Sequence, residues 1–149
     1  MGLIVAGRLK SEYYLREEGK YVGIFIPIPK KYLAEAFHLE SFKCYAVEGI
    51  LLDIKFLEGI DEKEYEKILS ELKGRKLTFY LRVTYGRTDF LLFSEDSWKE
   101  IRDYGIFPED VVLKVKLTAV EIDGKKEEIY PERDVSLDES GIELERSGY

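Results

Sequence analysis

The stretch Val111-Val-Leu-Lys-Val-Lys-Leu-Thr-Ala-Val-Glu-Ile122 has the strongest strand signal in the sequence. It consists largely of residues that are favoured in β-strands, and it contains neither Gly nor Pro. Asp123-Gly124 follows directly, and this dipeptide favours a two-residue hairpin turn. We therefore expect the chain to return as a paired strand over residues 125–130.

Two strands are predicted upstream, on either side of a short helix. Residues 21–28 place apolar side chains at every second position, which is typical of a half-buried strand, and Pro27 limits this strand to an edge or an end. Pro29 suits the first turn of the short helix that follows. A second strand is predicted over residues 42–57, where Gly49 indicates a β-bulge.

Two further helices are marked by their capping residues. Asp61 and Glu64 form a capping box at the start of the first helix, and Gly74 ends it. Ser94 is a favourable N-cap for the second helix, and Gly105 suits its C-terminal end. Apolar residues at helical spacing predict that each helix packs one face inward: Tyr65, Ile68, Leu69 and Leu72 in the first, Trp98 and Ile101 in the second.

Two strands, over residues 76–85 and 88–93, flank Gly86-Arg87. This pattern predicts a tight hairpin in which Gly86 supplies a positive φ angle. Strand alternation places one set of side chains inward and the other outward: Leu77, Phe79, Leu81, Val83 and Tyr85 inward, and Lys76, Thr78, Tyr80, Arg82 and Thr84 outward. The mixture of strands and short helices predicts the α+β fold class.

The composition is typical of a protein from a hyperthermophile. The chain of 149 residues contains no Asn and no Gln, and 36% of its residues are charged. Heat disfavours the amides and makes charged pairs cheaper to desolvate, so we infer a hyperthermophilic source, an archaeon. No apolar run is long enough to span a membrane, and the apolar start lacks the basic flank of a signal peptide. We expect a soluble, cytoplasmic protein without a membrane partner.

The charge of the chain is unevenly distributed. The net charge is −7, and residues 121–149 hold ten acids against four bases, which gives −6 for that part alone. Residues 131–149 combine high charge with little periodicity, so we expect an extended or disordered acidic C-terminal tail behind a single domain of residues 1–130. The rest of the chain is nearly neutral and can carry a local basic face.

No pattern of residues indicates catalysis. The single Cys44 and the single His38 exclude an internal disulfide and leave too few ligands for a structural zinc site, so we expect no metal and no cofactor. Cys44 is expected to be a small buried hydrophobe. Phosphate-binding loops and nucleophile motifs are absent from the sequence. We therefore favour a non-catalytic protein, and we leave its assignment as an enzyme or non-enzyme open.

Two stretches of the chain are similar to each other. The first runs from Ile24 to Leu39 and leads into residues 44–54, and the second runs from Phe90 to Ile106 and leads into residues 111–120. Each has the order strand, short helix, turn, strand. This similarity predicts an internal strand-helix-strand duplication.

These stretches resemble the AbrB/SpoVT-like family of swapped-hairpin, cradle-loop β-barrels. Ile28-Pro29-Lys30 matches the family's IPK element, and Gly105-Ile106-Phe107-Pro108-Glu109-Asp110 resembles its GI and P-G-D elements, with Glu109 where the family has Gly. The resemblance covers about half of the chain. It implies a β-rich, barrel-like domain with short helices, and a dimeric DNA-binding regulator of transcription. Related cradle-loop barrels include archaeal CTP-dependent riboflavin kinases, but their Thr-x-Asn element cannot occur in a chain without Asn.

The most distinctive segment of the sequence is residues 72–88, which contains five cations and no acid. Cations at outward positions of a strand suit phosphate contacts, and an outward Tyr suits stacking on a base. The alternative is that these cations pair with neighbouring acids such as Glu71 or Glu95 in surface networks. The residues predicted to bind DNA or RNA are Lys76, Tyr80, Arg82 and Arg87, with Lys30 and Lys31 in support.

A second hypothesis assigns the chain a different role, as a protein-interaction adaptor. Its acidic tail would dock onto a basic protein partner. Ile142 and Leu144 alternate with Glu143 and Glu145, so residues 141–145 are suited to add as a strand to an exposed sheet edge.

Overall fold

The structure is a computed structural model and describes residues 2–11, 21–130 and 133–137. It is an α+β, strand-rich fold in which one sheet curls into a half-barrel with two short helices. The elements in chain order are β1 (Leu3–Arg8), β2 (Lys10–Ser11), β3 (Tyr21–Pro29), β4 (Cys44–Phe56), α1 (Glu62–Leu72), β5 (Lys76–Arg82), β6 (Thr88–Ser94), α2 (Glu95–Arg102), a 3₁₀ turn (Pro108–Asp110), β7 (Val111–Ile122), β8 (Lys125–Glu128) and β9 (Arg133–Ser136).

The strand order across the sheet is β2-β3-β6-β5-β4-β7-β1-β9, and β8 pairs with β7. Strand β7 is an interior strand of the sheet, because it pairs with β4, with β1 and with β8. Only Leu9 separates β1 from β2, although these strands lie near opposite ends of the order. Residues 3–11 therefore connect the two ends of the curled sheet.

The core lies on the concave face of this sheet. Side chains of β7 alternate between buried and partly exposed along the strand, as expected for a sheet with one face on the core. Gly7 allows β1 to approach β3, since a Cβ at this position would lie 2.6 Å from Cγ2 of Ile26. The core is almost entirely apolar, and Asp89, Ser94 and Ser97 are its buried polar residues among those described.

Several local predictions are confirmed. The register between β4 and β7 shifts between Glu48 and Gly49, at the predicted position, although the extra residue of this bulge is Thr118 in β7 and not a residue of β4. Asp123 and Gly124 both have positive φ angles, 51° and 79°, as a two-residue hairpin turn between β7 and β8 requires. The Asp61 side chain accepts a hydrogen bond from the Glu64 backbone N–H at 3.3 Å, so the predicted N-cap of α1 is present.

Both helices are attached to the sheet by side-chain hydrogen bonds as well as by apolar packing. The Tyr65 hydroxyl of α1 donates to Oδ1 of Asp53 in β4 at 2.9 Å. The Ser97 hydroxyl of α2 accepts from the backbone N–H of Thr78 in β5 at 2.8 Å. Ile68, Leu72, Trp98 and Ile101 are buried on the inward faces, as the helical spacing predicts.

Four sequence predictions are wrong. Residues 30–38 form a series of turns rather than an α-helix, since two of the hydrogen bonds there span five residues. Gly86 does not have a positive φ angle, because the β5–β6 connection is wider than a two-residue turn. Tyr85 lies beyond the end of β5 and is 78% exposed instead of facing inward. Cys44 is exposed rather than buried, because it begins β4 on the outer face of the sheet.

Part of the predicted acidic tail is a strand. Strand β9 adds in parallel to β1, with Val5 opposite Val135, and both Val135 and Leu137 are buried. Residues 141–145, which the adaptor hypothesis assigns to strand addition, lie outside the described residues. Among the described helices, none has the length and apolar character needed to cross a membrane.

Candidate nucleic-acid interface

One end of the barrel brings most of the predicted binding residues together. The connection of residues 83–87 between β5 and β6 lies there, and pairing of these strands with β4 and β3 brings the start of β4 and the end of β3 alongside it. Val83 continues the pairing beyond β5, since its N–H donates to the Lys43 carbonyl at 3.0 Å. We call this surface the turn end; it comprises Lys30, Lys31, Phe42, Lys43, Arg82, Tyr85 and Arg87.

A buried ion pair holds the turn end in place. The Asp89 side chain is 1% exposed, and its Oδ1 accepts from Lys30 Nζ at 2.5 Å and from the Thr84 backbone N–H at 3.0 Å. Lys30 Nζ also donates to the Thr84 carbonyl oxygen. Lys30 thereby connects the end of β3 to the β5–β6 connection. Its ammonium is engaged in the protein, so this predicted binding residue has first of all a structural role.

The β5–β6 connection is shaped by Thr84. The Thr84 hydroxyl donates to the Thr88 carbonyl at 2.6 Å and accepts from the Gly86 backbone N–H at 3.1 Å. These bonds satisfy backbone groups of a wide turn without requiring a glycine in the left-handed region. The outcome is a well-defined loop that presents Tyr85 and Arg87 to solvent, since both are exposed.

Two exposed aromatic rings form a pair at the turn end. The rings of Phe42 and Tyr85 pack edge to face, with their centroids 4.4 Å apart and an interplanar angle of 89°. Phe42 is 62% exposed, and it has a φ angle of 64°, which is strained for a bulky residue. Its N–H donates to the Val83 carbonyl at 2.8 Å, and this bond helps to hold the strained backbone. Strain of this kind is found preferentially at functional sites.

The predicted binding residues do not all lie at this surface. Arg82 and Arg87 belong to the turn end, and Lys31 is there too, with its ammonium 5.1 Å from the centroid of the Tyr32 ring. Lys76 begins β5 and lies six residues from Arg82, a separation of about 20 Å along an extended strand. Lys76 therefore contributes no contact at the same place as the others.

Tyr80 lies in a cleft on the outer face of the sheet. This cleft has a volume of about 480 Å³ and lies between residues 38–46 and the β7–β8 hairpin. Its acids are Glu40, Glu121 and Asp123, whereas Lys43 is its only lysine or arginine among the described residues. An adjoining cavity of about 210 Å³ shares Tyr80 and Glu121 with it. The acidic surroundings of Tyr80 disfavour a contact with phosphate.

Two lysines at the margins of the cleft are paired with acids. The side-chain hydrogen bond with Glu40 raises the pKa of Lys43 above its usual value. The corresponding bond with Glu48, at 2.5 Å, raises the pKa of Lys126. Both lysines remain exposed to solvent, so they stay protonated at neutral pH and can still approach an anion.

Sequence reasoning missed Phe42, Lys43 and the exposed position of Tyr85. Phe42 was placed inside the second strand, although β4 begins only at Cys44. Phe42 and Lys43 lie at the end of the long connection between β3 and β4, and Tyr85 lies in the short connection of residues 83–87 between β5 and β6. Register then decides that the two connections meet, because Cys44 lies opposite Arg82.

The turn end is a cationic and aromatic surface. Five cations (Lys30, Lys31, Lys43, Arg82 and Arg87) lie there with three acids: Glu35, Glu40 and the buried Asp89. No cluster of three potential metal ligands occurs among the residues that the structure describes. The surface can contact phosphates through its cations and flat rings through its aromatic pair. Comparison with models of protein families, with curated proteins and with solved structures finds no match.

Proposed function

We propose that the chain is a non-catalytic nucleic-acid-binding module that uses the turn end as its contact surface. The observation that carries this proposal is the exposed Phe42–Tyr85 pair beside Lys31, Lys43 and Arg87 in a chain of net charge −7. A local excess of cations on an acidic protein needs a reason, and phosphate contacts supply one.

The proposal predicts a moderate dependence of binding on salt. Release of counterions from a single strand gives a slope of about −0.7 per neutralised phosphate in a plot of log K against log salt. Three contacts, from Lys31, Lys43 and Arg87, therefore weaken binding about twentyfold between about 50 mM and about 200 mM salt. The small number of cations implies a weak or moderate affinity.

The duplication inferred from the sequence is part of the proposal. Strands β3 and β6 are antiparallel, and Phe25 pairs with Leu92 while Ile26 pairs with Leu91. Strands β4 and β7 are antiparallel as well, and Ile50 pairs with Lys116. With a spacing of about 66 residues between the two stretches, equivalent positions lie opposite each other at Ile50 and Lys116, and they lie within one residue of each other in the pairing of β3 with β6.

This arrangement supports a barrel of two related units, as the resemblance to AbrB/SpoVT-like proteins implies. On that basis we propose a homodimeric, cytoplasmic regulator of transcription from a hyperthermophilic archaeon. The ion pair with Asp89 explains why a lysine ends the IPK-like element Ile28-Pro29-Lys30 in this chain. Through this pair, Lys30 connects the end of β3 to the connection between β5 and β6.

A fluorescence anisotropy titration of the full chain with labelled DNA and RNA tests the proposal. The wild-type protein should bind at about 50 mM salt and lose affinity as salt rises. Arg87→Glu should abolish most of the binding, whereas Lys76→Glu, at the distant end of β5, should change it little. Absence of binding at low salt, or an equal effect of the two substitutions, would remove the proposal.

The adaptor hypothesis is the second candidate. It is supported by β9, which shows that residues just beyond position 131 can add to a sheet edge, here to β1. A pull-down that compares the full chain with a chain ending at Leu137 tests it, because the shorter chain keeps β9 and loses only the acidic end. Equal recovery of a basic partner by both proteins would discard this role for residues 138–149.

A further inference from the structure

We infer that the nucleic acid bound at the turn end is single-stranded and that an unpaired base stacks on the Phe42–Tyr85 pair. This inference rests on the proposed function and names the class of nucleic acid that the surface selects.

The aromatic pair is preorganised. Backbone hydrogen bonds of Phe42 and Lys43 with Val83 fix the main chain that carries one ring, and the Thr84 bonds fix the connection that carries the other. The edge-to-face arrangement, with 4.4 Å between centroids, leaves one ring face accessible beside the edge of its neighbour. A base can therefore stack on the pair without paying for the ordering of flexible side chains.

The backbone at Phe42 favours a different residue. At a φ angle of 64°, Gly avoids the steric cost that a side chain with a Cβ incurs, and Asn tolerates it best among the others. An exposed Phe at this position contributes little burial, so packing does not explain its presence. A role in contacting a ligand, which requires an exposed ring, explains the presence of Phe at this position.

A duplex does not offer what this surface is built to bind. In double-stranded DNA the base faces are stacked inside the helix, and only base edges and phosphates are accessible from the grooves. Unpaired bases expose their faces and stack on aromatic side chains, whatever their sequence. Lys43 follows Phe42 in the chain and Arg87 lies two residues after Tyr85, and both are exposed, so cations for the phosphates next to a stacked base are carried by the same two connections.

Titration of the full chain with a short labelled oligo-dT strand and with a duplex of the same length tests this inference. Phe42→Gly and Tyr85→Ser should each lower affinity for the single strand about tenfold and leave any weak duplex binding unchanged. Phe42→Gly should also keep or raise the melting temperature, since it relieves the strained φ angle. Phe107→Ser is the matched control, because Phe107 is 70% exposed at the opposite end of the barrel, and it should not alter binding.

Three results would overturn the inference. Equal affinity for duplex and single strand, with no effect of Phe42→Gly, would leave phosphate binding intact and remove the stacking site. Conversion of a dimer to a monomer by Phe42→Gly in sedimentation velocity, with single-strand affinity unchanged, would assign the pair to a contact between copies of the chain. If neither nucleic acid binds at low salt, the proposed function itself fails, and the inference fails with it.

Discussion

Substitution of Lys30 by Met tests the buried ion pair that holds the turn end. The change keeps most of the side-chain volume and removes the ammonium, so the buried Asp89 carboxylate keeps only the Thr84 N–H as a partner among the described residues. Breaking a buried pair on one side costs about 3–5 kcal/mol. Because the Lys30 side chain is 21% exposed and water can approach, we expect the lower limit, about 3 kcal/mol.

For a domain of this size, about 3 kcal/mol corresponds to a fall in melting temperature of about 6–12 °C. Guanidinium unfolding at constant pH measures the loss directly. Lys31→Met is the matched control, since Lys31 is exposed, and a contact of an exposed lysine with a ring, as with Tyr32, or with a carboxylate is worth at most about 1 kcal/mol. Adding Asp89→Asn to Lys30→Met should recover at least half of the lost unfolding free energy, because it removes the negative charge that would be buried without its lysine partner. Equal, small losses for Lys30→Met and Lys31→Met would refute the reasoning.

Other regions give further predictions. Burial, followed by the hydrogen bond to Asp53, raises the pKa of Tyr65 above its ordinary value of 10.0, so the protonated phenol stabilises the native state below pH 10 and this contribution is lost as pH rises above it. Tyr65→Phe should therefore cost about 1 kcal/mol at pH 7 and show a shallower alkaline decline in unfolding free energy than the wild type. Gly49→Ala should destabilise by about 1–3 kcal/mol in a urea titration, because its Cβ would lie 2.9 Å from Cε2 of Phe79; a neutral result would contradict the close packing at the bulge. A chain ending at Tyr130 should melt well below the full chain, since it loses the buried Val135 and Leu137. A chain ending at Leu137 should keep the melting temperature and bind nucleic acid more tightly at low salt, because it loses four acids and one base; equal melting of the two truncated chains would exclude a stabilising β9.

The local predictions succeeded where a few neighbouring residues decide the structure. The N-caps Asp61 and Ser94 and the Asp123-Gly124 turn depend on side chains and φ preferences within four residues, so they are legible without a fold. The prediction of a tight turn at Gly86-Arg87 was wrong, because the Asp89 carboxylate accepts a hydrogen bond from the Thr84 N–H and stabilises a wider connection. That contact depends on a carboxylate whose burial the sequence pattern does not indicate.

The candidate site shows the same division. Sequence reasoning identified Arg82, Arg87 and Lys31 as a basic group, but it combined them with Lys76 and Tyr80, which the strand places about 20 Å away or in an acidic cleft. Phe42 and Tyr85 are distant in sequence and meet only because β4 and β5 pair in the register that sets Cys44 opposite Arg82. Local sequence patterns do not predict which strands pair or in which register.

The sequence by itself determined the strand at Val111–Ile122, both capped helices, the bulge at Gly49 and the net charge, since each follows from local periodicity, capping or composition. Only the tertiary structure decided that Lys30 is an internal partner of Asp89 and that two exposed rings share one surface. The physical reason is that burial and register are properties of the folded sheet. Both depend on which strands pair, and that pairing is determined by contacts between residues that are far apart in the chain.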